Sequence, residues 1–125
     1  IIALGVACKY LRKVGMKSIK NHEHKLNAMI SDSLLDCKKI SVIGPRDANQ
    51  RGGIFSFNIE GMNVHHVSKI LDASRAILTR SGAHCVHSWF NKHKMQGSVR
   101  ASMYLYNTEE EVQTFVDEIM KIVKL

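Results

Sequence analysis

Proline is almost missing from this 125-residue chain, occurring once, at Pro45, and that scarcity argues against a long disordered segment. Cysteine is sparse as well. Cys8, Cys37 and Cys85 stand at wide, irregular spacing, which is not a disulfide framework, so a reducing, cytoplasmic setting is expected. No apolar run approaches the roughly 18 residues that cross a membrane, and Lys9, Arg12 and Lys13 interrupt any secretory signal near the start. Aromatic residues make up only 6% of the chain and form no ladder on which bases could stack. Carboxylates are outnumbered, with 11 Asp and Glu against 18 Lys and Arg and a formal charge of +7. The lysines are dispersed from Lys9 to Lys124 without a binding motif, so no specific nucleic-acid role is expected. An initiator methionine is also lacking. Ile1-Ile2 opens an apolar helical pattern with no capping residue, which reads as a cut through a longer polypeptide.

What is present fits one compact domain over 1–125, since an apolar content of 45% is ordinary for a single globular core. Residues 1–14 read as a helix ended by Gly15, with Cys8 at core spacing between Leu4 and Leu11. Ser18 is placed to cap a second helix whose apolar stripe is Ile19, Leu26, Met29, Ile30 and Leu34. Ile40–Ile43 reads as a strand closed by Gly44-Pro45, and the polar stretch 46–53 as a loop. Ile54, Phe55, Phe57 and Ile59 mark a second strand ended by Gly61, after which Asn63 caps a helix through Leu71. Strands are predicted at 76–79 and 99–106. Thr108 and Glu111 have the spacing of a capping box for a final helix burying Val112, Phe115, Val116, Ile119, Ile122 and Val123. The expected architecture is α+β: about four mostly antiparallel strands covered on one face by helices.

The chemistry concentrates in residues 79–108. An Arg-x-Gly-x-His-Cys element (Arg80, Gly82, His84, Cys85) is followed by Val99-Arg100-Ala101-Ser102 and by Tyr106-Asn107-Thr108 at the start of the last helix. A thiolate at Cys85 is a nucleophile, and the planar guanidinium of Arg100 matches a carboxylate with two hydrogen bonds. Together they suggest chemistry on an amino or keto acid that ends on sulfur. The bland readings are an inert thiol at Cys85, a structural ion pair at Arg100, a brace at Arg80 and a loop hydrogen bond at His84. An unpaired guanidinium on an inward strand position would be expensive to bury, which favours a substrate carboxylate beside Arg100. A zinc site of His84, Cys85, His87 and His93 has suitable ligand types but poor spacing, because adjacent side chains diverge on extended backbone. Gly52-Gly53 leads into a strand rather than a helix N-terminus and makes a poor phosphate cradle.

The whole pattern resembles the small C-terminal domain of class V pyridoxal-phosphate enzymes, and within them the SufS-type cysteine desulfurase/selenocysteine lyase branch. The resemblance runs from the helical opening through Ile43-Gly44-Pro45 and Ile54-Phe55-Ser56-Phe57 to Tyr106-Asn107-Thr108. It implies the small domain of a fold-type I transferase, with a large cofactor-binding domain outside this chain. Cys85 would then be the catalytic thiol that receives sulfur from L-cysteine as a persulfide, leaving alanine. Arg100 would bind the substrate carboxylate, with Arg80 and His84 assisting in substrate binding. Pyridoxal 5'-phosphate would belong to the full-length enzyme and none to this chain, whose His24-Lys25 and His93-Lys94 pairs stand in the wrong setting and order for the Schiff-base lysine. The implied partners are L-cysteine or L-selenocysteine, a sulfur-acceptor protein serving iron–sulfur cluster assembly, and a second copy in a homodimer. Ala83, Ser88 and the basic segment 89–96 depart from that branch. The alternatives are a class V aminotransferase or lyase domain without desulfurase activity, and a stand-alone interaction domain that is not catalytic.

Overall fold

A computed structural model describes residues 1–125. In chain order the elements are α1 (Ile2–Val14), α2 (Met16–Leu34), β1 (Ile40–Ile43), a 3-10 turn (Ala48–Gln50), β2 (Ile54–Ile59), α3 (Val64–Arg75), β3 (Arg80–Gly82), α4 (His87–Lys92), β4 (Ser98–Ser102) and α5 (Glu109–Ile122). The strands form one sheet in the order β1-β2-β4-β3, and every neighbouring pair is antiparallel.

Alternation along the strands sorts side chains to two faces. Phe55, Phe57 and Ile59 of β2, with Val99 and Ala101 of β4, point to a covered face and join Leu26, Ile30 and Leu34 of α2, Val67 and Leu71 of α3, and the inner stripe of α5 in one core. Phe57 meets Phe115 edge-on at 6.0 Å between ring centroids, a favoured aromatic geometry. α5 starts as expected: Thr108 Oγ1 accepts from the Glu111 N–H while the Glu111 carboxylate accepts from the Thr108 N–H. Asn63 likewise caps α3 through the His65 N–H.

Several boundaries differ from the sequence reading, each for a local reason. α2 begins at Met16, because Gly15, with φ 94, breaks from α1 and its carbonyl already accepts from the Ile19 N–H; Ser18 caps nothing. No strand forms at 76–79. Ala76 takes a left-handed conformation that closes α3, and pairing starts only at Arg80. β4 stops at Ser102 rather than 106, since Tyr104 and Asn107 bond to each other in a turn. The loop 46–53 is not wholly solvated: Arg51 is buried, bonds the Ser31 hydroxyl and lies 5.2 Å above the Phe55 ring. Cys8 is not in the core either. α1 buries none of its residues, and its helical periodicity marks an apolar face that nothing in these 125 residues covers.

Candidate functional site

The second face of the sheet carries polar groups where the first carries core. Ser56 of β2 lies opposite Arg100 of β4, and Arg100 lies opposite Arg80 of β3. Two guanidinium groups therefore occupy directly paired positions, an arrangement that destabilises a sheet unless an anion intervenes. Neither is ion-paired to a carboxylate of the chain. Arg100 is half-buried, and its buried Nε has no hydrogen-bond partner. This is an anion-receptive face.

Cys85 is held at a turn beside it. The Val86 N–H donates to the Ala83 carbonyl at 2.8 Å, and the two residues between have positive φ, 50 for His84 and 65 for Cys85. Positive φ at both central positions is the signature of a type I′ turn, which ordinarily favours Asn and Gly. A left-handed conformation costs about 1–2 kcal/mol for each residue with a Cβ, so the loop stores strain to present the thiol outward. Cys85 is exposed, and the Arg80 guanidinium donates to its Sγ at 3.2 Å. That contact sets a guanidinium directly beside the sulfur.

His84 points the other way. Its Nε2 is 2.9 Å from the hydroxyl of fully buried Ser98, while Nδ1 is buried without a partner. Burial first, then the charges of Arg100 and Arg80, push the imidazole below its ordinary pKa, against a smaller opposing pull from Ser98. It is neutral near pH 7. His84, Val86, Phe90, Trp89, Ser98 and Arg100 line an open cleft of about 340 Å³, and Cys85 sits in the chain between two of those lining residues. A larger cavity of about 520 Å³ lies between residues 75–79, the end of β4 and α5. It contains neither Cys85 nor Arg100, whereas Arg100 and both chain neighbours of Cys85 line the smaller cleft.

All of the residues singled out in the sequence, Cys85, Arg100, Arg80 and His84, thus meet on one sheet face and its adjoining turn. The zinc ligands do not converge: His84 faces Ser98, His93 Nδ1 faces the Trp89 carbonyl at 2.7 Å, and no three metal-ligating side chains cluster. Three contributors escaped the sequence reading. α4 was detectable from Val86, Trp89 and Phe90 at helical spacing. Ser98 had no local signal. Gly97 is required because a Cβ there would lie 2.6 Å from the Gly82 carbonyl carbon, where the end of β3 pairs with the start of β4.

A small α+β domain with an unpaired guanidinium face beside a strained, exposed thiol is thereby defined. The family model for aminotransferase class V matches residues 1–115, and the chain belongs to that family. It is 37% identical over 123 residues to a probable cysteine desulfurase of Pyrococcus abyssi, covering 98% of this chain and 30% of that protein. A cysteine desulfurase of Haloferax volcanii is 35% identical, with 94% of this chain and 27% of the relative covered. Among solved structures, the apo cysteine desulfurase of Thermococcus onnurineus superposes with a TM-score of 0.86 at 36% identity, over 93% of this chain and 28% of that one. An Escherichia coli cysteine desulfurase shares the fold, with a TM-score of 0.84 at 19% identity over 98% of this chain and 30% of its own. The chain spans about 30% of the length of the curated relatives it matches.

The family implies pyridoxal phosphate, and the residues present can be tested against it. The cofactor's lysine must sit in a desolvated pocket. Lys25 is exposed and ion-paired with Glu109, and Lys94 is exposed where α4 ends; neither lines the cleft. Neither lysine fits the cofactor's aldehyde. No helix is long and apolar enough to cross a membrane.

Proposed function

We propose that this chain is the small domain of a cysteine desulfurase, supplying the sulfur-accepting thiol and the substrate's carboxylate site. The carrying observation is the unpaired Arg80–Arg100 pair next to a thiol that Arg80 itself contacts. Pyridoxal phosphate and its lysine belong to a large domain outside these residues. The length of the relatives and the uncovered apolar face of α1 support that reading.

In this assignment Arg100 grips the carboxylate of L-cysteine with its planar fork, and Arg80 shares the charge between that carboxylate and the Cys85 thiolate. The thiolate attacks the substrate sulfur. The S–S bond forms as the C–S bond breaks, the electron pair stays on the substrate carbon, and a proton there completes alanine. Sulfur remains on Cys85 as a persulfide. His84 is uncharged and hydrogen-bonded to Ser98, so it positions the turn and leaves its buried Nδ1 as a hydrogen-bonding group in the cleft wall. L-selenocysteine fits the same geometry, and a homodimer is the expected assembly.

The test is Cys85→Ala in the full-length enzyme. Sulfane sulfur on the protein should disappear while cofactor absorbance is retained. An aminotransferase would keep most of its turnover after that change, and such a result would sink the desulfurase assignment.

A further inference from the structure

Asn58 stands on the cleft side of β2, two residues past Ser56, because Phe55, Phe57 and Ile59 turn inward to the core. Pairing between β2 and β4 stops at Phe57 and Val99, one step short of Asn58. Beyond that point a side chain takes over. No backbone N–H reaches the Gly97 carbonyl; the Asn58 Nδ2 donates to it at 3.0 Å, across 39 residues of sequence. A carbonyl only accepts, so the nitrogen of the amide must face it. The amide oxygen then points away and is buried with no donor. One hydrogen bond made is offset by one acceptor left unsatisfied, so an amide here adds little to stability over a leucine of similar size.

What the bond does hold is Gly97. β4 lies between β2 and β3; Gly82 of β3 crowds Gly97 on one side, and Asn58 holds its carbonyl from the other. The next residue is Ser98, whose side chain is fully buried and bonds His84 Nε2 at 2.9 Å. His84 and Cys85 are the two left-handed residues of the turn. From Val99 onward β4 pairs with both neighbouring strands, so Arg100 has a seat that does not depend on Asn58.

We propose that Asn58 is a positioning residue for the thiol and not for the carboxylate site. It fixes the start of β4, and with it the contact between Ser98 and His84 from which the Cys85 turn hangs. That the placed thiol accepts sulfur rests on the desulfurase assignment; the placement rests on the contacts alone.

Two variants of the full-length enzyme test this. Asn58→Leu removes the donor together with the orphaned oxygen; Asn58→Asp keeps the size and the oxygen and removes only the donor. Both should slow first-turnover formation of sulfane sulfur at saturating cysteine about tenfold, the scale of a small misplacement of a reacting group. The half-saturating cysteine concentration should stay within about twofold. A second reading needs no turnover. Iodoacetate is negatively charged and iodoacetamide is neutral, so the ratio of their rates at Cys85 reports how near the Arg80 guanidinium stays to the sulfur. Mass spectrometry separates Cys85 from Cys8, which is also exposed. The ratio should fall about threefold in both variants. An unchanged rate and ratio would overturn the proposal. So would a loss of rate matched by an equal loss of affinity and a lower melting temperature, which marks a brace for the whole sheet. If Asn58→Leu does not fold, Asn58→Asp decides by the same readings. A parent enzyme that forms no sulfane sulfur, with a ratio that still falls in the variants, loses the desulfurase assignment and keeps Asn58 in its role.

Discussion

Arg100 is the residue whose surroundings ask most clearly for a ligand: half-buried, cross-strand from another guanidinium and without a carboxylate. Arg100→Ala in the full enzyme should lower kcat/KM for cysteine about 100-fold, equivalent to about 2.7 kcal/mol, most of it in KM. Arg100→Lys keeps the charge but not the fork and should fall between the two. Titration of the cysteine dependence of initial rates reads both. His84 makes a pH prediction. Its folded pKa lies below its unfolded value, so the unfolded chain binds more protons and stability rises with pH across that interval. The contribution is fully present above about pH 6.5 and is lost as pH falls toward the depressed folded value. Melting curves between pH 7.5 and 5.5 (about one unit above and below, by the same ordinary value) should show that loss, and His84→Asn, which tolerates the left-handed turn, should flatten it.

At the level of elements, the thiol's position depends on how closely the end of β3 approaches the start of β4. Gly97 has φ 149, and any Cβ there would press on the Gly82 carbonyl at 2.7 Å. Both contacts are with backbone, which cannot swing aside. Gly97→Ala should therefore destabilise the fold by more than about 1 kcal/mol, measurable by denaturant titration, and slow Cys85 alkylation or speed it as the turn shifts. An unchanged midpoint and alkylation rate would mean that this close approach tolerates a methyl group. The elements also show where local pattern sufficed. The capping box at Thr108 and Glu111 and the buried stripe of α5 were legible because both depend on residues three or four apart. The strand expected at 76–79 was not, because its apolar residues follow a helix whose left-handed end at Ala76 turns the chain before pairing begins.

For the whole molecule, 18 buried residues join in one core cluster, while under the proposed function the chain supplies the thiol and the carboxylate site but not the cofactor's lysine. The isolated 125-residue chain should fold cooperatively, bind no pyridoxal phosphate tightly and release no sulfide from cysteine. Sulfide above a buffer control from the purified chain would contradict that. Helix α1 tells the same story from outside. Ile2, Leu4, Val6 and Tyr10 are more than half exposed (87%, 68%, 62% and 56%), so Val6→Asp should change the stability of the isolated chain by no more than about 0.5 kcal/mol. In the full-length enzyme the same change should cost more if a large domain covers this face.

Sequence alone determined most of the element types and the final helix with its cap, and it singled out Arg80, His84, Cys85 and Arg100 as candidates, because periodicity, capping and motif spacing are properties of neighbouring residues. Only the tertiary structure decided that Arg80 and Arg100 face each other across β3 and β4, that Ser98 anchors His84, that Gly97 must clear Gly82, and that Cys8 lies on an uncovered helix. Those facts depend on strand register and on which surfaces the chain can cover, and both are set by contacts between residues far apart in sequence.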